Sequence, residues 1–269
     1  MEKPANKSYD RAMAVLAHHL HVLEECCAGV LQAVVLTGSL VTGCYTGDAG
    51  SDIDLVHILR DDAPQNARAR VLDCIDRTER ETNRDLHIAR VVYRQRDLYP
   101  PYPADFRLCL ENKDYIELPV ELLRLKDAAR VVWGAIDLNA VPAPNRADVI
   151  SSLKLGERWA KELQEAGIPL PPQENLPVRL MVQSVLVRAL LDVFFATGCS
   201  CSSKADAAGR LREGVPGYAF LPLVEACTRW RYAPERFTQE DEQLILTQWP
   251  RWREERNRLP VDGVPLETV

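Results

Sequence analysis

Two short apolar runs constrain what the first half of this chain can fold into. Residues 33–37 (AVVLT) and 53–59 (IDLVHIL) are almost wholly apolar, rich in β-branched side chains and too short for an ordinary helix. Runs of this kind read as strands buried on both faces, so they need covering layers on each side. Flanking segments supply helices. Residues 8–27 carry Met13, Leu16, Leu20, Leu23 and Cys27 at helical spacing from a cap at Ser8, and 65–80 read as a polar helix bearing Val71, Leu72 and Ile75. Residues 86–93 (LHIARVVY) read as a third strand. The expectation is an α/β domain with a small mixed sheet.

The second half has a different pattern. Residues 131–145 (VVWGAIDLNAVPAPN) read as a joint, stiffened by Pro142 and Pro144. Beyond it nearly everything is helical: 146–165, then 177–197, which is apolar on nearly every side and so should be buried, ended by Gly198. A further helix is expected to open at Lys204 and another to run from about Gly217 to Tyr232. Thr238 and Asp241 read as a capping box for a last helix bent at Pro250. The chain is therefore expected to hold an α/β domain at 1–140 and an all-helical bundle at 146–269.

Composition excludes some functions. A net charge of −6, from 33 basic and 39 acidic residues, argues against a broad nucleic-acid surface. No apolar run is read as reaching the ~20 residues of a membrane span. The N-terminus MEKPANKSYD lacks an apolar signal core, so a cytoplasmic protein is expected. Of eight cysteines the only tight pair is Cys199 and Cys201, with no second pair to complete a zinc site, so reduced thiols are expected. His18, His19 and His21 converge on no carboxylate partner and read as solvated helix positions.

The chemistry lies in one segment. Leu36-Thr-Gly38-Ser39 is followed, after a twelve-residue spacer, by Asp52-Ile-Asp54-Leu-Val. Period two puts both carboxylates on one face of a strand, where they repel unless a cation lies between them. Hard oxygen ligands of this kind suit Mg²⁺, which typically takes one or two carboxylates plus phosphate oxygens. Gly38 has no Cβ to bar a phosphate, and Ser39 offers a hydroxyl and an N–H at the start of a helix.

This arrangement resembles the signature of the DNA polymerase β-like nucleotidyltransferase superfamily. The stretches ARVVWG, DLNAVPAPNRADV and FFATGCSCSSKADAAGRL narrow the resemblance to aminoglycoside adenylyltransferases of the streptomycin/spectinomycin type. What it implies is a nucleotidyltransferase domain followed by a helical domain that closes on substrate and nucleotide. It further implies Asp52 and Asp54 as catalytic metal ligands, and Gly38, Ser39 and Ser51 at the nucleotide. Lys204 matches the family's phosphate-neutralising lysine. Arg188 is the nearest match to its phosphate-contacting arginine, two residues out of register.

The sequence departs from the family at the third strand, where a Glu takes the proton from the acceptor hydroxyl. The ungapped count lands on His87, whose unperturbed pKa of about 6.5 suits a general base. Asp85, two residues earlier, is the alternative. The implied activity is Mg²⁺-dependent transfer of AMP from ATP, the co-substrate, to a hydroxyl of a small cationic acceptor, by a monomer or weak dimer. Two alternatives stay open: a toxin-like or regulatory nucleotidyltransferase acting on protein or RNA, and an inactive nucleotide-binding member.

Overall fold

The two apolar runs become adjacent antiparallel strands, β1 (Leu31–Leu36) and β3 (Leu55–Leu59), in a computed structural model that describes residues 7–47, 52–82, 86–103, 118–165 and 177–256. They form the middle of a four-stranded sheet ordered β5–β3–β1–β6. Strand β5 (Val91–Arg94) runs parallel to β3, and β6 (Arg130–Gly134) antiparallel to β1. Alternation along the strands sorts the side chains. Val34, Leu36, Leu55 and Leu59 pack with Leu16 and Leu23 of α1 (Lys7–Cys27) and with Val71 and Ile75 of α3 (Ala67–Glu81). Ala33, Val35, Val56 and Ile58 pack with Leu118, Leu122 and Leu125 of α4 (Leu118–Asp127). Both faces are covered, which is why the runs show no polar alternation.

Three elements differ from expectation. The 53–59 run is interrupted at Asp54, which separates β2 (Asp52–Ile53) from β3. The 86–93 strand is likewise two strands: β4 (His87–Ile88) pairs in parallel with β2 in a separate two-stranded sheet, and only β5 joins the main one. The joint expected at 131–145 begins as strand β6, because Val131 and Trp133 find partners on the free edge of β1.

The histidines of α1 also differ. His18 and His21 pair with Glu81 and Glu25, but His19 is fully buried, with Nδ1 2.9 Å from Thr78 Oγ1 and Nε2 3.0 Å from Nε2 of the equally buried His57. His57 Nδ1 lies 3.1 Å from the Val91 carbonyl, so it must carry a proton to donate. The Thr78 hydroxyl gives its one proton to the Cys74 carbonyl at 2.9 Å, so His19 Nδ1 donates to Thr78 and His57 Nδ1 to Val91. Burial lowers both pKa values, His57 to about 4 and His19 well below its ordinary range, helped by the neighbouring His57 and His18. The unfolded chain thus binds protons between about pH 6.5 and 4 that the folded chain refuses, so stability falls with pH across that window. His57 alone accounts for about 2 kcal/mol by pH 5. Urea midpoints at pH 7.5 and 5 check this. Equal midpoints would mean that the pair is not buried in solution.

The chain divides into two compact units, Met1–Pro144 and Asn145–Val269. The second contains α5 (Arg146–Glu165), α6 (Val178–Thr197), α7 (Ala207–Gly214), α8 (Leu221–Tyr232) and α9 (Gln239–Arg256). Helix α6 is apolar all round because α7, α8 and α9 all pack on it, around Val182, Val185, Leu186, Leu211, Leu223, Ile245 and Trp252. By length and composition α6 would suffice to cross a membrane, contrary to the sequence expectation, although most of that window is buried within the protein. Gly198 ends it at φ +72°, a left-handed cap that costs glycine nothing. Thr238 and Asp241 make the expected reciprocal cap, each backbone N–H 3.2 Å from the other's side-chain oxygen. The helix expected at Lys204 starts later, at Ala207, and leaves Lys204 half-buried in the preceding turn.

Candidate active site

The two halves of the motif meet where β1 ends. Gly38 adopts φ +67°, and a Cβ there would collide with Oδ2 of Asp54. Glycine is required twice over, for its dihedral angle and for the space the carboxylate occupies. The Thr37 N–H donates to the Asp54 carbonyl at 2.9 Å, which fixes the crossing. Ser39 is half-buried in α2 (Gly38–Thr42). That helix is a single turn, so it offers N–H groups and little of the macrodipole expected of a longer helix.

Asp52 is half-buried in β2 and paired in register with His87 of β4, so the two side chains leave the same face of the small sheet. Nδ1 of His87 lies 2.9 Å from Oε1 of Glu79 on α3, while the other Glu79 oxygen accepts from Arg90 at 3.1 Å. A carboxylate at Nδ1 puts the ring proton there and makes Nε2 the basic nitrogen of the neutral imidazole. Asp85 and Ser51 lie outside the described residues.

Two further groups, Arg124 and Glu121 of α4, were not read from the sequence. Arg124 holds Oδ1 of Asp54 at 2.8 Å and Oε2 of Glu121 at 3.0 Å. Glu121 is 1% exposed, its other oxygen has no hydrogen-bond partner, and burial pushes its carboxyl up. Burial opposes the charge on Arg124, but Glu121, Asp54 and Asp52 outweigh it and hold the guanidinium charged. A signal existed: Leu118, Leu122 and Leu125 define the apolar stripe of this helix, and Glu121 falls within it. Arg124→Ala strands Glu121 in the core and should cost about 3 kcal/mol, as breaking a buried pair does. Replacing both with leucine should cost less than the single change. Denaturant midpoints of the two variants decide it, and an unchanged midpoint for Arg124→Ala would contradict the pairing.

The donor set fits a hard divalent cation. Two carboxylates, Asp54 and Glu121, are held by one guanidinium, and Asp52 adds its charge to the same field. The buried Thr37 hydroxyl beside Gly38 also has no hydrogen-bond partner. Among the described residues no group of three His, Cys, Asp or Glu side chains is placed to hold a metal. The protein would therefore supply about two carboxylates and leave the remaining positions to phosphate and water, the usual pattern for Mg²⁺.

Lys204 and Arg188 belong to the second unit. Arg188 is buried with Nε 2.8 Å from Asp192, whose other oxygen accepts from the Tyr218 hydroxyl. Burial, reinforced by Asp192, pushes the Tyr218 hydroxyl pKa up.

No protein-family model matches the sequence, and no curated protein matches it. Solved structures do match. One is the crystal structure of spectinomycin adenyltransferase AAD(9) from Enterococcus faecialis with ATP and spectinomycin, at a TM-score of 0.52 and 16% identity, covering 94% of this chain and 98% of that one. The likeness is one of fold.

Proposed function

We propose that the protein is a Mg²⁺-dependent nucleotidyltransferase that moves AMP from ATP to a hydroxyl of a small cationic acceptor of the aminoglycoside type. The observation that carries this reading is the apposition of Gly38 and Asp54, with Asp52 and His87 paired beside it. The fold likeness to an adenyltransferase determined with ATP and spectinomycin supports ATP as co-substrate and a small-molecule acceptor. The negative net charge favours a cationic acceptor. The reading takes 1–140 as the nucleotidyltransferase domain, 146–269 as the closing domain, and the enzyme as a cytoplasmic monomer or weak dimer.

Each residue then has a task. Gly38 leaves room for a phosphate against the backbone, and Ser39 and Ser51 offer N–H and hydroxyl donors to its oxygens. Asp52 and Asp54 would hold Mg²⁺, which when bound neutralises the triphosphate and polarises the phosphorus for attack. Arg124 holds Asp54 oriented through Oδ1 and leaves Oδ2 turned toward Gly38. His87 takes the acceptor's hydroxyl proton at Nε2 while Glu79 anchors Nδ1, and Asp85 is the alternative acceptor of that proton. Lys204 and Arg188 are assigned to the nucleotide phosphates.

The acceptor is tested with ATP, GTP, CTP and UTP, each labelled at the α-phosphate, offered with spectinomycin, streptomycin, bulk tRNA and mixed protein. Label from ATP on an aminoglycoside is expected. Label on tRNA or protein would overturn the acceptor class. Lys204→Ala should weaken binding of a non-hydrolysable ATP analogue by about 1.5–3 kcal/mol, the range for a hydrogen bond to a charged group, with little effect on the acceptor. Calorimetric titration measures both, and unchanged nucleotide affinity would return Lys204 to the surface.

A further inference from the structure

The contact between α1 and α3 brings together three cysteines that the site does not use. Cys27 and Cys74 are buried with their sulfurs 3.6 Å apart, across 47 residues of chain. Cys26, the residue before, is exposed, because consecutive helical positions point about 100° apart. Its sulfur accepts from Nη1 of Arg77 at 3.7 Å, and it lies near enough to Cys74 to help lower that thiol's pKa. Arg77 is itself fixed by Glu25 and Glu81. One thiol therefore meets solvent beside a guanidinium, and two more continue inward from it.

We propose that Cys26, Cys27 and Cys74 form a thiol relay that accepts an oxidising equivalent from a small-molecule disulfide and stores it as a Cys27–Cys74 bond tying α1 to α3. The Cys26 thiolate attacks one sulfur of the small disulfide, whose S–S bond breaks and releases one small thiol. Cys74 attacks Cys26 in turn, gives up its proton and expels the second small thiol. Cys27 then attacks Cys74 and returns Cys26 to the thiolate. In sum one small disulfide is reduced to two thiols, and two cysteines lose their protons and are joined. The hydrogen bond from Cys74 lowers the Cys27 thiol pKa, whereas Cys74 is held up by donating that bond and by burial. Cys27 is thus the better nucleophile of the buried pair and makes the last attack, while the attack of Cys74 on Cys26 is the slow step. It ends α1, where a small shift can close the remaining gap between the sulfurs without breaking a helix.

The test is incubation of the native full-length protein with oxidised glutathione, followed by alkylation of remaining thiols and peptide mass mapping. The expected product has Cys27 bonded to Cys74 and Cys26 alkylated. Cys26→Ser should reach the same product at least about tenfold more slowly, since the exposed entry point is lost. Cys74→Ser should stop at a mixed disulfide on Cys26. A wild-type protein that ends as a stable Cys26–glutathione adduct without the internal bond overturns the relay. So does one whose three thiols all remain alkylatable, or a Cys26→Ser variant that bridges at the wild-type rate. The wild-type map decides the main point even if a variant fails to fold.

Discussion

Asp54→Asn is expected to lower turnover by about 10³-fold, some 4 kcal/mol of barrier, while the protein stays folded. The amide keeps the shape over Gly38 but loses the charge that would hold the cation. The structure also sets the effect on stability. Two neighbouring aspartates alone would make the apo protein more stable once one is neutralised. Asp54 is instead paired with Arg124 at 2.8 Å, so its neutralisation should cost about 1–2 kcal/mol. Asp52→Asn should lose as much activity. Steady-state rates with urea midpoints separate the two consequences. Retention of more than about a tenth of wild-type turnover in Asp54→Asn, a loss under ~1.4 kcal/mol, would contradict the two-aspartate assignment.

His87→Ala should cost about 10²–10⁴-fold in turnover, the contribution of a positioned general base. The affinity for nucleotide should change little, because Nε2 is assigned to the acceptor hydroxyl and not to phosphate. Glu79→Gln tests the same proton path one step back. It keeps a hydrogen bond to Nδ1 but no longer fixes which nitrogen carries the proton, so a smaller loss in the same direction is expected. If Asp85→Asn is the damaging change and His87→Ala is silent, the base lies on the carboxylate. If both retain full activity, this strand carries no base.

Much of the α/β unit was legible because its signals are local. The apolar runs marked β1 and β3, and the Gly38-Ser39 and Asp52-x-Asp54 spacings located the candidate chemistry. What periodicity missed was interruption. A period-two reading carries a strand straight through Asp54, whereas the Asp54 carbonyl turns to accept from Thr37. Buried polar residues were half-legible. His19 falls in phase with Ala12, Leu16 and Leu23 on the buried stripe of α1, yet nothing local could name His57 as its partner from 38 residues away. Glu121 likewise sits on the apolar stripe of α4, but its tie to Asp54 runs through Arg124 and depends on how helix and strand are placed. Glu79 gave no signal, since a carboxylate on a polar helix is ordinary.

The most direct test of nucleotidyl transfer uses ATP labelled at either the α- or the γ-phosphate, with Mg²⁺ and an aminoglycoside acceptor. Transfer of AMP predicts α-label on the acceptor, γ-label in pyrophosphate, and loss of both on substitution of Asp52 or Asp54. Label that reaches the acceptor from the γ-phosphate, or nucleotide that binds and never turns over with any acceptor, would contradict the account.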